Sequence, residues 1–156
     1  MTTTSGYIKR MKNKALETTL VAIQFITAGY LVLMADWTTM PVFLLVLVIA
    51  SGVLAIWSIG VMKIGNLSVA PTPLDSATLR VNGPYRLIRH PMYTSLILLS
   101  IPLIAQHPEP VRILMGILLV SDLIVKLYYE ERLLKEKFPE YTAYMGRTKR
   151  LIPFIY

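Results

Sequence analysis

Residues 41–62 read PVFLLVLVIASGVLAIWSIGVM, twenty-two positions without a charged side chain. A bilayer core about 30 Å thick is crossed by roughly 20 apolar residues of helix, so this run predicts a transmembrane span. Residues 15–35 form a second such run, broken only by Glu17 near its start and Gln24 at depth. Lys9, Arg10, Lys12 and Lys14 precede it, as a basic leader precedes a signal sequence. A cleaved signal has an apolar stretch of roughly 7–15 residues and a small-residue cleavage site. This stretch is longer and ends at Asp36-Trp37, which predicts a retained helix.

Two further apolar stretches, 92–106 and 111–129, flank a tight turn at His107-Pro108-Glu109-Pro110. Fifteen residues rise only about 22 Å as helix, so the third span must sit off-centre or borrow length at its ends. Pro102 is expected to kink it. Composition agrees with lipid as the solvent: 54% of the chain is hydrophobic and 16% charged, against roughly 25% charged in soluble domains. The net charge of +7 is read through its distribution rather than as a sign of nucleic-acid binding. Lysine and arginine gather in the leader, in 63–91 and in the tail, while the opposite loops contribute only Arg112. By the positive-inside rule, four crossings then place both termini in the cytoplasm. The expected architecture is a single all-α integral membrane domain with four transmembrane helices. With no cysteine in the chain, disulfides, thiolate metal sites and a cysteine nucleophile are excluded, and no metal ligand set is expected.

The connecting segment 63–91 carries Pro71, Pro73, Asn82-Gly83 and Pro84 and reads as a cytoplasmic loop. Asn66-Leu67-Ser68 matches a glycosylation acceptor in form but would not meet the machinery from the cytoplasmic side. The segment 130–156 begins as a charged helix in which Glu131 and Lys135 are spaced for a favourable pair, and Pro139 stops it. The remainder is basic and aromatic, suited to an amphipathic tail that lies on the membrane surface or closes over a site.

One rim collects the chemistry. Pro91 suits the first turn of the third span and His90 its cap. Free N–H groups beside Arg86, Arg89 and His90 would suit a carboxylate or phosphate; contact with lipid phosphates accounts for the same residues. In an antiparallel hairpin, Glu130 and Glu131 lie next to that cap. Adjacent helical residues point about 100° apart, so one glutamate faces the shared rim and the other is free to meet Lys135. Asp122 and Lys126 share a stripe with Glu130, and an internal ion pair is the plainest account of two charges within a span. Gln24 is expected to bond between helices. Tyr85, Tyr93, Tyr128, Tyr129, Tyr141 and Tyr144 fall on the same side, as an aromatic belt would; aromatic faces and carboxylates also stabilise a sulfonium cation.

Gly83-Pro84-Tyr85-Arg86, then Arg89-His90-Pro91-x-Tyr93, then Glu130-Glu131, then Phe138-x-x-Tyr141-x-x-Tyr144 and Arg150-x-x-Pro153 resemble the isoprenylcysteine carboxyl methyltransferase and phospholipid methyltransferase superfamily. The resemblance covers about residues 80–153; the first two spans match it only as generic hydrophobic helices. It implies an S-adenosylmethionine site made by Tyr85, Arg89, His90, Pro91, Tyr93, Glu130 and Glu131. It also implies catalytic roles for Arg89 and Glu130, and acceptor contacts from Tyr144 and Arg147. The acceptor it implies is lipophilic, a carboxylate of a prenylcysteine-like or other lipid-like molecule, met among membrane lipids and without nucleic acid. Ser95 departs from the glycine often found two residues after the tyrosine, which bears on close approach to the site.

Two other readings compete. A sterol-type reductase using NADPH shares the Arg-His-Pro-x-Tyr segment and an ending like Arg150 to Tyr156, but lacks the glutamate pair. A four-helix transporter or scaffold would concentrate ionisable groups near mid-membrane, where this chain has only Asp122 and Lys126.

Overall fold

The computed structural model describes residues 4–62, 70–74 and 76–156, with side chains from Lys14 onward. Lys63 and the Asn66-Leu67-Ser68 triplet lie outside the described residues, as do the side chains of Lys9, Arg10 and Lys12. Among the described residues five helices follow in order: α1 (Thr4–Leu33), α2 (Val42–Met62), α3 (Pro91–Ala105), α4 (Pro110–Lys137) and α5 (Tyr141–Arg147), with a short 3₁₀ turn at Gly83–Arg86. No strand occurs among the described residues, only an isolated bridge between Ile88 and Lys149.

Two helical stretches, Lys14–Leu33 and Val42–Met62, are long and apolar enough to cross a membrane. Only 17% of each is buried, so these are not core helices of a soluble protein. Phe43, Val46, Ile49, Val53, Ile56 and Trp57 stand exposed along α2, a surface that water would not tolerate at this extent. Helix α3 is apolar but shorter, at 15 residues. Helix α4 runs on for 28 residues, carrying the fourth apolar stretch and the charged segment as one rod that ends where Pro139 was expected to stop it.

Helix α2 packs against α3, α1 against α4, and α3 against α4. Their shared core is Leu31, Leu103, Leu119 and Leu123. Gly116 of α4 faces the tip of the Ile104 side chain of α3, which would have to move for a larger residue to fit. Pro102 lies buried inside α3 without ending it.

The end of the bundle remote from His90 is tied by backbone-directed bonds. Buried Arg112 donates to the Met34 carbonyl and, at 3.3 Å, to that of Leu103, meeting carbonyls that the ends of α1 and α3 leave without helical partners. Gln106 bonds both ways with the Asp36 backbone.

Candidate functional site at the His90 rim

The rim is built from glycine upward. Gly83 has φ +58°, and a Cβ there would lie 2.7 Å from Val61 Cγ2 and 3.1 Å from Trp57 Nε1. Glycine therefore serves both the left-handed backbone and the close approach to α2. That turn buries Pro84 and Tyr85 and delivers the chain to a parallel pairing with the C-terminal segment. Arg89 N donates to Lys149 O at 2.8 Å, His90 N to Arg150 O at 3.1 Å, and Lys149 N to Leu87 O at 3.2 Å.

This pairing corrects the expectation of an open, anion-binding helix start. His90 does take the cap position and Pro91 the first turn. Yet the N–H groups of Arg89 and His90 are bonded to the tail, and those of Tyr93 and Thr94 reach back to His90 O. Proline has no N–H. The His90 side chain makes no capping bond and turns instead toward the glutamates of α4.

Glu131 is the hub of a buried network. Arg89 Nε donates to its Oε1 at 2.7 Å, Arg150 Nε to its Oε2 at 3.2 Å, and His90 Nε2 lies 3.5 Å from Oε1. Burial alone would raise this carboxyl, but the close contacts of His90 and Arg89 outweigh it and hold the group down at about 2. Arg89 spends its other contacts on the tail, donating through Nη1 to the carbonyls of Thr148 and Met145. Glu131 therefore faces inward and makes no ion pair with Lys135; the i,i+4 pair in this stretch is the exposed Arg132–Glu136, at 3.5 Å.

Glu130 looks elsewhere, into a cavity of about 320 Å³ lined by residues 70–73 and 77–80 and by all four long helices. Tyr93 Oη donates to Glu130 Oε2 at 2.7 Å. The His90 ring stacks parallel to Tyr93, centroids 5.3 Å apart, with Nδ1 3.7 Å from the same Glu130 oxygen. Tyr85, Arg89, His90, Tyr93, Glu130 and Tyr144 thus line one cavity. Pro91 is buried beside it as the first residue of α3, and Glu131 braces it from behind. Arg147 is exposed on α5 and does not line the cavity, while the Tyr144 hydroxyl is committed to the Tyr85 carbonyl at 2.6 Å. Burial pushes the Tyr85 and Tyr141 phenols well up and that of Tyr144 to about 12, so all three stay protonated near neutrality. Ser95 lines the cavity too, its hydroxyl turned back to Met92 O at 2.7 Å.

Several lining groups were not singled out from the sequence as site residues. Tyr141 Oη and Arg80 Nε are buried without a hydrogen-bond partner among the described residues, and both residues line the cavity. Lys126 donates to Gln24 Oε1, lies 5.7 Å over the Tyr93 ring and feels the charge of Asp122, whose buried carboxylate oxygens accept no hydrogen bond among the described residues. A lone glutamine and a lone lysine in two separate spans were the available signal, because each needs a polar partner in lipid. Within the described residues no cluster of His, Cys, Asp and Glu suits a metal ion.

No curated protein matches the chain. A family model described as phospholipid methyltransferase matches residues 39–141, more than half of the chain. The match begins ahead of α2, so the second apolar helix belongs to it and is not merely a generic span.

Proposed function

The chain belongs to the phospholipid methyltransferase family, within the superfamily that includes the isoprenylcysteine carboxyl methyltransferases, and on that premise we propose that it is an S-adenosylmethionine-dependent membrane methyltransferase acting on a lipophilic acceptor. The observation that carries the reading is the convergence of Glu130, Tyr93 and His90 on one cavity. In this proposal the chain is one membrane domain that crosses four times, with both termini and the His90 rim in the cytoplasm.

The lining residues fit a sulfonium nucleotide. Glu130 offers a carboxylate to an ammonium or to ribose hydroxyls, and the rings of Tyr85 and Tyr93 offer π faces to a sulfonium. The orphan donors Arg80 Nε and Tyr141 Oη are suited to carboxylate and ring acceptors, since a buried donor without a partner is costly until a ligand supplies one. When bound, the cofactor supplies an electrophilic methyl group, so the protein has mainly to orient the partners and exclude water. Glu130 and Tyr93 orient; the segment 70–74, tied to α1 through Thr72–Glu17 and to α4 through Lys137–Leu74, helps to exclude water. Arg89 acts at one remove, fixing Glu131 and the tail so that His90 stays between the two glutamates. For a carboxylate acceptor no base is required.

The test is transfer of labelled methyl from S-adenosylmethionine to membrane lipid extract by the purified protein, with the organic-soluble product identified by mass spectrometry. The expected result is a labelled product that disappears in His90→Ala and Glu130→Gln. Label reaching no component of any extract would contradict the proposal, as would reduction of an extract component by NADPH.

A further inference from the structure

The tail closes in a tight loop whose apolar side chains face outward. Leu151 is buried at its root. The N–H groups of Leu151 and Ile152 both donate to Tyr156 O at 2.7 Å, and Tyr156 N returns to Ile152 O at 3.1 Å. Phe154 holds φ +68°, a left-handed backbone that a bulky side chain rarely adopts. The loop thus keeps an ordered apolar tip away from the protein: Phe154 is 85% exposed, Ile155 75% and Ile152 50%.

Two observations say what this tip faces. One is its place. Thr94, in the first turn of α3, donates to Leu151 O at 2.8 Å, and the Tyr156 hydroxyl meets that of Tyr128 on α4 at 3.0 Å. Tyr128 ends an exposed stripe of α4 made by Leu114, Leu118 and Val125, residues whose spacing puts them on one face. The stripe runs along the apolar stretch 111–129, so the tip prolongs its lipid-facing surface at the end of the bundle that holds His90. The other observation is charge. Residues 141–156 carry Arg147, Lys149 and Arg150 and no acidic side chain. Arg147 and Lys149 are exposed, as is Arg86 on the turn before the segment that pairs with the tail.

Arg150 faces the other way. Its Nε donates to Glu131 Oε2 at 3.2 Å, while its guanidinium lies 4.7 Å over the Tyr128 ring and 5.4 Å over that of Tyr156. One side chain therefore joins the outer loop to the carboxylate that also holds Arg89 and stands beside His90.

We propose that the loop 151–156 is a docking surface for an anionic lipid leaflet, and that Arg150 carries its seating inward to the His90 rim. Ile152, Phe154 and Ile155 enter the acyl boundary, and Arg86, Arg147 and Lys149 meet lipid phosphates. Apolar area and attraction to anionic headgroups add in such binding. A second copy of the chain would set one basic flank against another. The lipid is a structural partner here, distinct from the methyl acceptor. With the tip out of the lipid, Tyr156 loses its fixed place, Arg150 loses part of its support, and the pairing that covers the Arg89 and His90 N–H groups loosens. The inference rests on the membrane-crossing reading and is independent of the nucleotide.

The test uses the full chain in nanodiscs of phosphatidylcholine mixed with phosphatidylglycerol. The chain has no cysteine, so one introduced cysteine carries one fluorophore. A label at Ile155→Cys should be quenched by brominated acyl chains and little by acrylamide in the water; a label at Arg132→Cys should behave the opposite way. Val125→Cys marks the span. Should its label escape the brominated lipid, the membrane reading fails and the inference with it. Quenching at Val125 by lipid but at Ile155 by acrylamide overturns the inference alone. An Ile155 label shielded from both quenchers, with Ile155→Cys chains cross-linking in pairs, would give the tip to a second copy and overturn it too. Amide hydrogen exchange reads the coupling. Phe154→Gly with Ile155→Ser keeps the left-handed turn and removes the apolar surface. This pair, and separately Arg150→Gln, should speed exchange at the Arg89 and His90 amides about tenfold, with the Arg112 end unchanged. In phosphatidylcholine alone those amides should exchange about threefold faster than in the anionic mixture. Exchange that neither the variants nor the lipid charge alters would overturn the link from tip to rim.

Discussion

The two ends of the helix bundle both bury an arginine and use it in opposite ways. At the far end, Arg112 donates to the carbonyls of Met34 and Leu103, and Gln106 closes a mutual pair with Asp36. Those polar groups are consumed in tying α1, α3 and α4 together. At the other end, Arg89 is equally consumed, by Glu131 and the tail carbonyls, but around it capacity is left over. Arg80 Nε and Tyr141 Oη are buried without hydrogen-bond partners among the described residues, and both residues line the same cavity as Glu130. Burial of polarity is therefore not itself a mark of function in this chain. The distinguishing feature is unsatisfied polarity converging on a space, which a ligand can satisfy.

Separating stability from binding at the two ends is the strongest way to break this contrast. Arg112→Ala removes donors from buried carbonyls and should lower stability by about 3 kcal/mol, read as a fall in melting temperature in detergent. Its affinity for S-adenosylhomocysteine should remain within about twofold of the unsubstituted protein below that melting point. His90→Ala should weigh the other way, with a smaller fall in melting temperature than Arg112→Ala and a nucleotide affinity lower by about thirtyfold, or about 2 kcal/mol. If both substitutions moved both readouts together, the contrast between the ends would collapse.

Acid should act next most strongly, and at the rim. Glu131 has its carboxyl held at about 2, below the ordinary 4.5. A depressed carboxyl contributes stability that is complete above its unfolded value and is lost as pH falls through its folded one. Melting temperature should thus hold steady from neutrality down to about pH 4.5 and decline from there toward pH 2. In Glu131→Gln the midpoint should be lower throughout and the decline over that window shallower. A full decline persisting in the variant would assign the acid sensitivity to other groups.

Gly83→Ala should cost about 1–2 kcal/mol, since alanine strains the left-handed backbone and its Cβ presses on α2 at Val61. Ser95→Gly should have the smallest effect, about 0.5–1 kcal/mol of helix stability, with nucleotide affinity unchanged because the hydroxyl already points back to Met92 O. Circular dichroism melts of the two variants side by side check both values.

Much of this arrangement was legible in the residues because it is local or strongly patterned. The apolar runs located α2 to within a residue, and Pro139 marked the stop of α4 correctly. The Arg-His-Pro segment and the glutamate pair were rightly expected to meet. Harder to read were contacts whose partners lie far apart in sequence and follow no period. Nothing in the tail announced that Lys149 and Arg150 would pair with Ile88 and His90, and so the expected anion-binding helix start proved covered. Arg89 reads as a cofactor-binding and catalytic group because its charge is visible in sequence, whereas its partners Glu131 and Thr148 appear only after folding. Glu131 was free on paper to meet Lys135, but a buried arginine outcompetes an exposed lysine for the same carboxylate. Lys126 and Asp122 share a helical stripe and attract each other's charge as that spacing implies, but Gln24 on another helix also meets the lysine; spacing along one helix is silent about its neighbours.

Calorimetric titration of the purified chain in nanodiscs with S-adenosylhomocysteine tests the central claim most directly, run beside Glu130→Gln. The account predicts saturable one-to-one heat in the unsubstituted protein and an affinity at least about a hundredfold weaker in the variant, close to 3 kcal/mol. No heat of binding, or an affinity that Glu130→Gln leaves unchanged, would contradict it.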